Sequence, residues 1–230
     1  MQPDRPISNY YDKDAIASAV DRGAHRDVIG GLWDEIGELQ LTFLKSRGLK
    51  PEHVLLDIGC GSLRLGVRAV EYLDVGNYWG TDLNGTLLDA GYEREIEPAG
   101  LAGKLPRPHL VVDERFDFPG IARNIDFAMA TSVFTHLPLE YMHLCLENLA
   151  RHVSRECTFF FSVFSPPEGQ SAQGMCRQPL SGKKTYPDRD PFHFTPEQID
   201  SAAAGTPWQL DYIGDWGHPR NQKIVKAYLA

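Results

Sequence analysis

Residues 54–66, Val-Leu-Leu-Asp-Ile-Gly-Cys-Gly-Ser-Leu-Arg-Leu-Gly, constrain the fold more than any other part of the chain. An apolar run of this kind suits a parallel strand covered on both faces. The run meets a carboxylate at Asp57, breaks into the turn Gly59-Cys60-Gly61, and continues into a helix from residue 63. Glycine lets the backbone turn tightly and lets a ligand lie against it. The helix that follows aims its free N–H groups at whatever sits over the turn. A strand, turn and helix in this order make a site for a nucleotide-like ligand.

Spacing removes two kinds of nucleotide site. A dinucleotide fingerprint needs a third glycine at position 64, which is Arg64, and a phosphate-binding P-loop needs a lysine, absent between Lys50 and Lys104. What remains is acid-x-Gly-x-Gly, Asp57-Ile58-Gly59-Cys60-Gly61. A carboxylate beside the turn would repel a pyrophosphate but suits an ammonium or sulfonium ligand. On this motif the chain resembles the class I S-adenosylmethionine-dependent methyltransferases. A second acid, Asp82, ends the run Asn77-Tyr78-Trp79-Gly80-Thr81-Asp82. In doubly wound folds an acid at the end of the second strand takes the ribose hydroxyls. Asp82 followed by Asn84-Gly85-Thr86 also reads as a helix N-cap.

Periodicity predicts strands over 53–57, 78–82, 109–112, 125–131, 158–164, 208–214 and 222–229. Helices are expected over 63–72, 87–97 and 139–152, and from Thr195-Pro196, an N-cap followed by a first-turn proline. Two further helices, 12–22 and 27–47, precede the first strand, the second interrupted by Gly30-Gly31 at about 1 kcal/mol per glycine relative to alanine. The resemblance runs from Pro51 to the end. It implies an α/β, three-layer, Rossmann-like seven-stranded sheet, mostly parallel with the last strand antiparallel, carrying N-terminal capping helices. The organisation expected is a helical cap or lid over 1–50 and a donor-binding core over 51–230.

Composition sets outer limits. With 230 residues, 42% apolar, the chain can bury one sizeable core. A formal net charge of -8 argues against nucleic acid as substrate. No apolar run approaches membrane-spanning length, and Met1-Gln2-Pro3-Asp4-Arg5 has no signal-peptide core. Cys60, Cys145, Cys157 and Cys176 lack metal-ligand spacing, so no metal site is expected and reduced thiols in a cytoplasmic protein are the default.

The resemblance further implies S-adenosylmethionine as cofactor and S-adenosylhomocysteine as product. Carried over by position, the donor contacts are Asp57, Gly59, Cys60, Gly61, Asp82, Leu83 and Asn84, with Asp113 as the adenine acid and Glu114 and Asp117 competing with it. Ser132 would pass beneath the methionine moiety. Trp33 of the cap is a donor contact or a packing residue. Tyr11, His193 and His218 are candidate substrate contacts, and the long connection 165–192 is a candidate substrate lid, with a disordered surface insertion as the alternative. Thr131-Ser132-Val133-Phe134 stands where nucleic-acid base methyltransferases would show an Asn/Asp-Pro-Pro-aromatic motif.

Methyl transfer from a sulfonium mainly requires two reactants held close and aligned. A base is needed when the acceptor loses a proton, and His136 is the candidate, with a structural role as the alternative. The function expected is methyl transfer to a small-molecule hydroxyl. The alternatives are an N-methyltransferase of a small metabolite and a silent adenosylmethionine-binding protein. No nucleic-acid or membrane partner is expected, and a homodimer is left open.

Overall fold

The computed structural model describes residues 7–121 and 124–229. Residues 1–6, which include the segment inspected for a signal peptide and the start of the expected cap, lie outside the described residues. In chain order the strands are β1 (Leu55–Ile58), β2 (Tyr78–Asp82), β3 (Leu110–Val112), β4 (Ile125–Ala130), β5 (Val153–Val163), β6 (Cys176–Arg177), β7 (Lys184–Thr185), β8 (Trp208–Asp215) and β9 (Lys223–Leu229). The helices are α1 (Lys13–Asp21), α2 (His25–Val28), α3 (Trp33–Ser46), α4 (Arg64–Tyr72), α5 (Gly85–Gly91), α6 (Leu139–Leu149) and α7 (Pro196–Ala203).

Seven strands make one sheet in the order β3-β2-β1-β4-β5-β9-β8. The pairs from β3 to β5 are parallel, and β9 runs antiparallel to both of its neighbours. The seven-stranded, mostly parallel sheet expected from the sequence is therefore present, with its last strand reversed. A separate two-stranded ribbon, β6 with β7, lies inside the long connection after β5.

Alternation along the strands explains the three layers. Successive side chains leave a strand on opposite faces. Leu56, Ala128, Ala130, Phe159 and Phe161 join one core with Leu146 and Leu149 of α6 and Ile199 of α7. Their neighbours Leu55, Phe127, Met129 and Phe160 join the other with Leu44 of α3 and Ala69 and Val70 of α4. Phe160 meets Phe43 edge-on at 5.0 Å between ring centres, so Phe160→Ala would cost about 3–5 kcal/mol through the void it leaves.

Three departures from the sequence expectation are the largest, beside a helix expected over 139–152 that ends at Leu149. β5 begins at Val153 rather than 158, because its polar first half pairs with Ile125 across a bulge before the Phe-rich half takes over. The expected helix 87–97 is α5 followed by a wider turn of helix over Tyr92–Ile96. The expected helix 27–47 is split: Gly30, Gly31 and Leu32 have φ of 90°, 61° and 49°, a left-handed run that separates α2 from α3. That break folds residues 7–31 back over the ends of β1 and β2. There Asn84 Nδ2 donates to the Tyr10 carbonyl at 2.8 Å and Ser62 Oγ to the His25 carbonyl at 3.1 Å.

Candidate functional site

The strand order reverses between β1 and β4, the place where open α/β sheets bind ligands at the carboxyl ends of their strands. A cleft with about 960 Å³ of empty space, counted with its open mouth, lies there. That is within the range of small-molecule sites.

The glycine turn after β1 forms the floor. Gly59 and Gly61 have φ of 67° and 54°, which favours glycine. A Cβ on Gly61 would stand 2.6 Å from Ile29 Cγ2, and one on Gly59 2.4 Å from Val133 Cγ2, so neither tolerates a side chain. Asp82, at the end of β2, ties the turn in place. Its two carboxylate oxygens accept from the Gly61 N–H at 2.9 Å and the Asn84 N–H at 2.8 Å. A carboxylate offers about four lone-pair sites, so one acceptor site per oxygen is left for the cleft. Burial raises the Asp82 pKa to about 6 against the lowering effect of these two N–H donors.

Asp57 lies deeper and accepts from the Tyr78 hydroxyl at 2.8 Å. Burial lifts its pKa to about 7, opposed by Tyr78 and Arg64 and reinforced by Asp82. Cys60 is buried on the other side of the turn, and burial pushes its thiol well above the usual range.

Arg64, in the place of the missing third glycine, lies buried along the cleft wall. Its Nη1 donates to the Gly31 carbonyl at 3.0 Å, pinning the left-handed bend, while its Nε–H has no partner among the described residues. Burial and then the like charge of Arg220 bring its pKa down to about 10, so it remains a cation at neutral pH. Across the floor Gln40 of α3 donates to Thr131 Oγ1 at 2.9 Å and leaves its buried Oε1 unpartnered among the described residues. Its position, four residues from both Ile36 and Leu44, puts an amide on the buried face of α3. That polar residue in an apolar stripe is the sequence signal that points to it.

The cleft brings together Tyr11, Asp57, Gly59, Cys60, Gly61, Asp82, Leu83, Asp113, Ser132 and His136 of the residues singled out from sequence. Asp113 spends its carboxylate on its own turn, accepting from the N–H groups of Arg115, Asp117 and Phe118 at 3.1, 3.1 and 2.8 Å. Beside it Phe116 and Glu114 also line the wall, Glu114 paired with Lys13. Ser132, with φ of 66°, donates its N–H to Ser162 Oγ at 2.8 Å, and its hydroxyl pairs with Gln222.

Four other residues lie outside the cleft lining. Asn84 fastens the folded-back N-terminal segment through its bond to Tyr10. Trp33 is covered by the Arg26 guanidinium at 4.6 Å. His193 is buried within the long connection, its ring nitrogens 3.0 Å from Thr185 Oγ1 and 3.1 Å from the Ala172 carbonyl. His218 stacks on Trp216, and burial drives its pKa down to about 3.

His136 faces the mouth. Its Nδ1 is 2.7 Å from Asp190 Oδ1, and its ring meets Tyr10 edge-on at 4.9 Å. A carboxylate on Nδ1 holds the proton there and leaves Nε2 as an acceptor. Asp190 comes from the long connection, 54 residues away, and no spacing in the sequence announces the pair. Among the described residues, no group of three or more His, Cys, Asp or Glu is placed to hold a metal ion, and no helix is long and apolar enough to cross a membrane.

No protein-family model matches the chain. Solved structures do. The magnesium protoporphyrin IX methyltransferase of Synechocystis PCC 6803 with bound SAM aligns over 100% of both chains at 14% identity and a TM-score of 0.66. The CcbJ methyltransferase from Streptomyces caelestis aligns over 98% of this chain and 100% of its own, at 13% identity and a TM-score of 0.66. The sugar N-methyltransferase KedS8 from a Streptoalloteichus species covers 100% of this chain and 96% of its own, at 15% identity and a TM-score of 0.62. The chain has the fold of the S-adenosylmethionine-dependent methyltransferases.

Proposed function

We propose that the protein transfers a methyl group from S-adenosylmethionine to a hydroxyl of a small molecule. The observation that carries the donor is a pair of buried, unsatisfied groups on two cleft-lining residues, the Arg64 Nε–H and the Gln40 Oε1. A buried polar atom left without a partner costs about 1–3 kcal/mol, so both favour a ligand that supplies partners. One offers a donor on a cation and the other an acceptor, which fits the carboxylate and ammonium of an amino-acid tail. Asp82 supplies two acceptor sites for a vicinal diol at the other end. A zwitterion and a ribose joined through a sulfonium describe S-adenosylmethionine. The donor supplies an activated methyl group; the chain's part is to hold the donor and acceptor in line and keep water away.

In this reading the segment 7–50 is a cap over the donor, with Ile29, Tyr10 and Tyr11 on its inner side. His136 accepts the hydroxyl proton at Nε2 as the carbon–oxygen bond forms, and Asp190 stabilises the resulting imidazolium. This dyad favours oxygen over nitrogen as the acceptor atom.

The test compares S-adenosylhomocysteine with adenosine by calorimetry. Arg64→Met and Gln40→Leu should each weaken S-adenosylhomocysteine binding about tenfold or more, the worth of one charge-assisted hydrogen bond, and leave adenosine binding within about twofold. Equal loss for both ligands would contradict the assignment of the tail.

A further inference from the structure

Four remote segments are tied together beside the cleft, next to its lining residues Ile29 and His136. Arg220, in the turn between β8 and β9, donates to the Gly30 carbonyl in the bend before α3. The next residue, Asn221, donates through Nδ2 to Gln178 Oε1 at 3.1 Å, and the Gln178 N–H donates to the Lys183 carbonyl at 2.9 Å. This chain of bonds ties the Lys183 backbone to the turn that carries Arg220, and the two side-chain charges lie close enough to repel. The same connection delivers Asp190 to His136.

Charge at this junction is out of balance. The half-buried Lys183 ammonium makes no hydrogen bond or ion pair among the described residues. Arg220 has a backbone carbonyl for its guanidinium and no carboxylate among the described residues. Asp190, the nearby acid, is committed to His136 at 2.7 Å. His218 accepts the Arg220 N–H at Nδ1, which places its own proton on a buried Nε2 that has no partner among the described residues. Elsewhere Arg26, Arg68 and Arg107 each have a carboxylate partner, in a chain whose formal net charge is -8. Like charges held together where burial is only partial still repel unless a counter-charge joins them. Burial and Arg220 both lower the Lys183 pKa, with Asp190 opposing, as expected of a cation lacking its partner.

We propose that the methyl acceptor carries an anionic group, a carboxylate or a phosphate, that sits between Lys183 and Arg220 at the mouth while its hydroxyl reaches His136. This rests on the reading of the cleft as a methyl-transfer site. The anion is separate from the donor's tail, whose carboxylate lies inward on Arg64. Its seat is supplied by the connection after β5 and the turn before β9, and it selects hydroxy acids or phosphorylated alcohols over neutral alcohols.

Lysine acylation followed by mass spectrometry tests this on the S-adenosylhomocysteine-loaded protein. Inorganic phosphate and acetate are added in separate arms, with chloride holding the ionic strength constant. Exposed Lys184 is the internal control. Lys183 labelling should slow about threefold or more as either anion is raised to about 100 mM, with Lys184 unchanged. Arg220→Gln should remove most of that protection while leaving Lys184 labelling at the parent rate. Protection at lower phosphate than acetate names a phosphoryl acceptor, and the reverse names a carboxylate. Lys183 that ignores both anions, or that tracks Lys184, overturns the proposal. Failure to load S-adenosylhomocysteine would instead count against the methyl-transfer reading.

Discussion

The floor and the mouth of the cleft are built in different ways. On the floor, Asp82 reaches the Gly61 N–H across 21 residues, and adjacent parallel strands set the meeting. At the mouth, His136 meets Asp190 across 54 residues and Arg220 meets Gly30 across 190. The register of β1 on β2 is what brings Asp82 to the glycine turn. The mouth exists only after the N-terminal segment, the long connection and the β8–β9 turn have all docked. A site divided this way keeps the floor constant while the mouth is free to vary with the loops that form it.

The largest expected effect sharpens the floor as a place of enforced burial. Asp57 has a folded-state pKa of about 7 against an ordinary 3.8. A raised carboxylate pKa means that its contribution to stability is complete below about pH 4 and is lost as pH rises through 7. Asn at this position cannot ionise. Asp57→Asn should therefore gain stability over the parent as pH climbs from 4 to 7, by up to about 4 kcal/mol, and then level off. Thermal midpoints at pH 5 and pH 8 measure the gap; a gap that shrinks with pH would show the carboxylate is content in its charged form.

Next in size is Asp82, proposed above to hold the ribose. Asp82→Ala removes two charged acceptor sites from the cleft and should weaken S-adenosylhomocysteine about 100-fold by calorimetry. It also frees the Gly61 N–H, so Asp82→Asn, which keeps an acceptor for the turn, should fall between the two. Unchanged affinity in Asp82→Ala would leave Asp82 as a cap of the turn alone.

The smallest effect belongs to the mouth. His193 ties Thr185 to Ala172 within the long connection. His193→Ala should raise amide exchange in β6 and β7 about tenfold, the cost of one or two buried hydrogen bonds, and leave S-adenosylhomocysteine affinity within about twofold. A matching loss of donor affinity would erase the division between floor and mouth.

That division also explains what could be read in the sequence. The strand–turn–helix unit, Asp57, Asp82 and the sheet were legible because each follows from spacing within one βαβ segment or from alternation along a strand. Arg64 was visible as an exception to a glycine pattern, but its place depended on the bend at Gly30-Gly31, which spacing only hinted at. Gln40 was missed, although an amide in an apolar stripe is a mark that spacing can show. Asp190, Lys183 and Arg220 carried no such mark, because charged residues in loops are ordinary until distant segments bring them together. His193 and His218, singled out as loop histidines, are packed away from the cleft by Thr185 and Trp216. A loop position signals access to solvent only when the loop does not fold on itself.

The central claim is that the cleft at the ends of β1, β2 and β4 holds S-adenosylmethionine. Calorimetry of the parent protein with S-adenosylhomocysteine and, separately, with NADH tests it most directly, since both ligands carry an adenosine and only one carries an amino-acid tail. The account predicts saturable one-to-one binding of S-adenosylhomocysteine and no heat with NADH. Binding of NADH with no response to S-adenosylhomocysteine would contradict it.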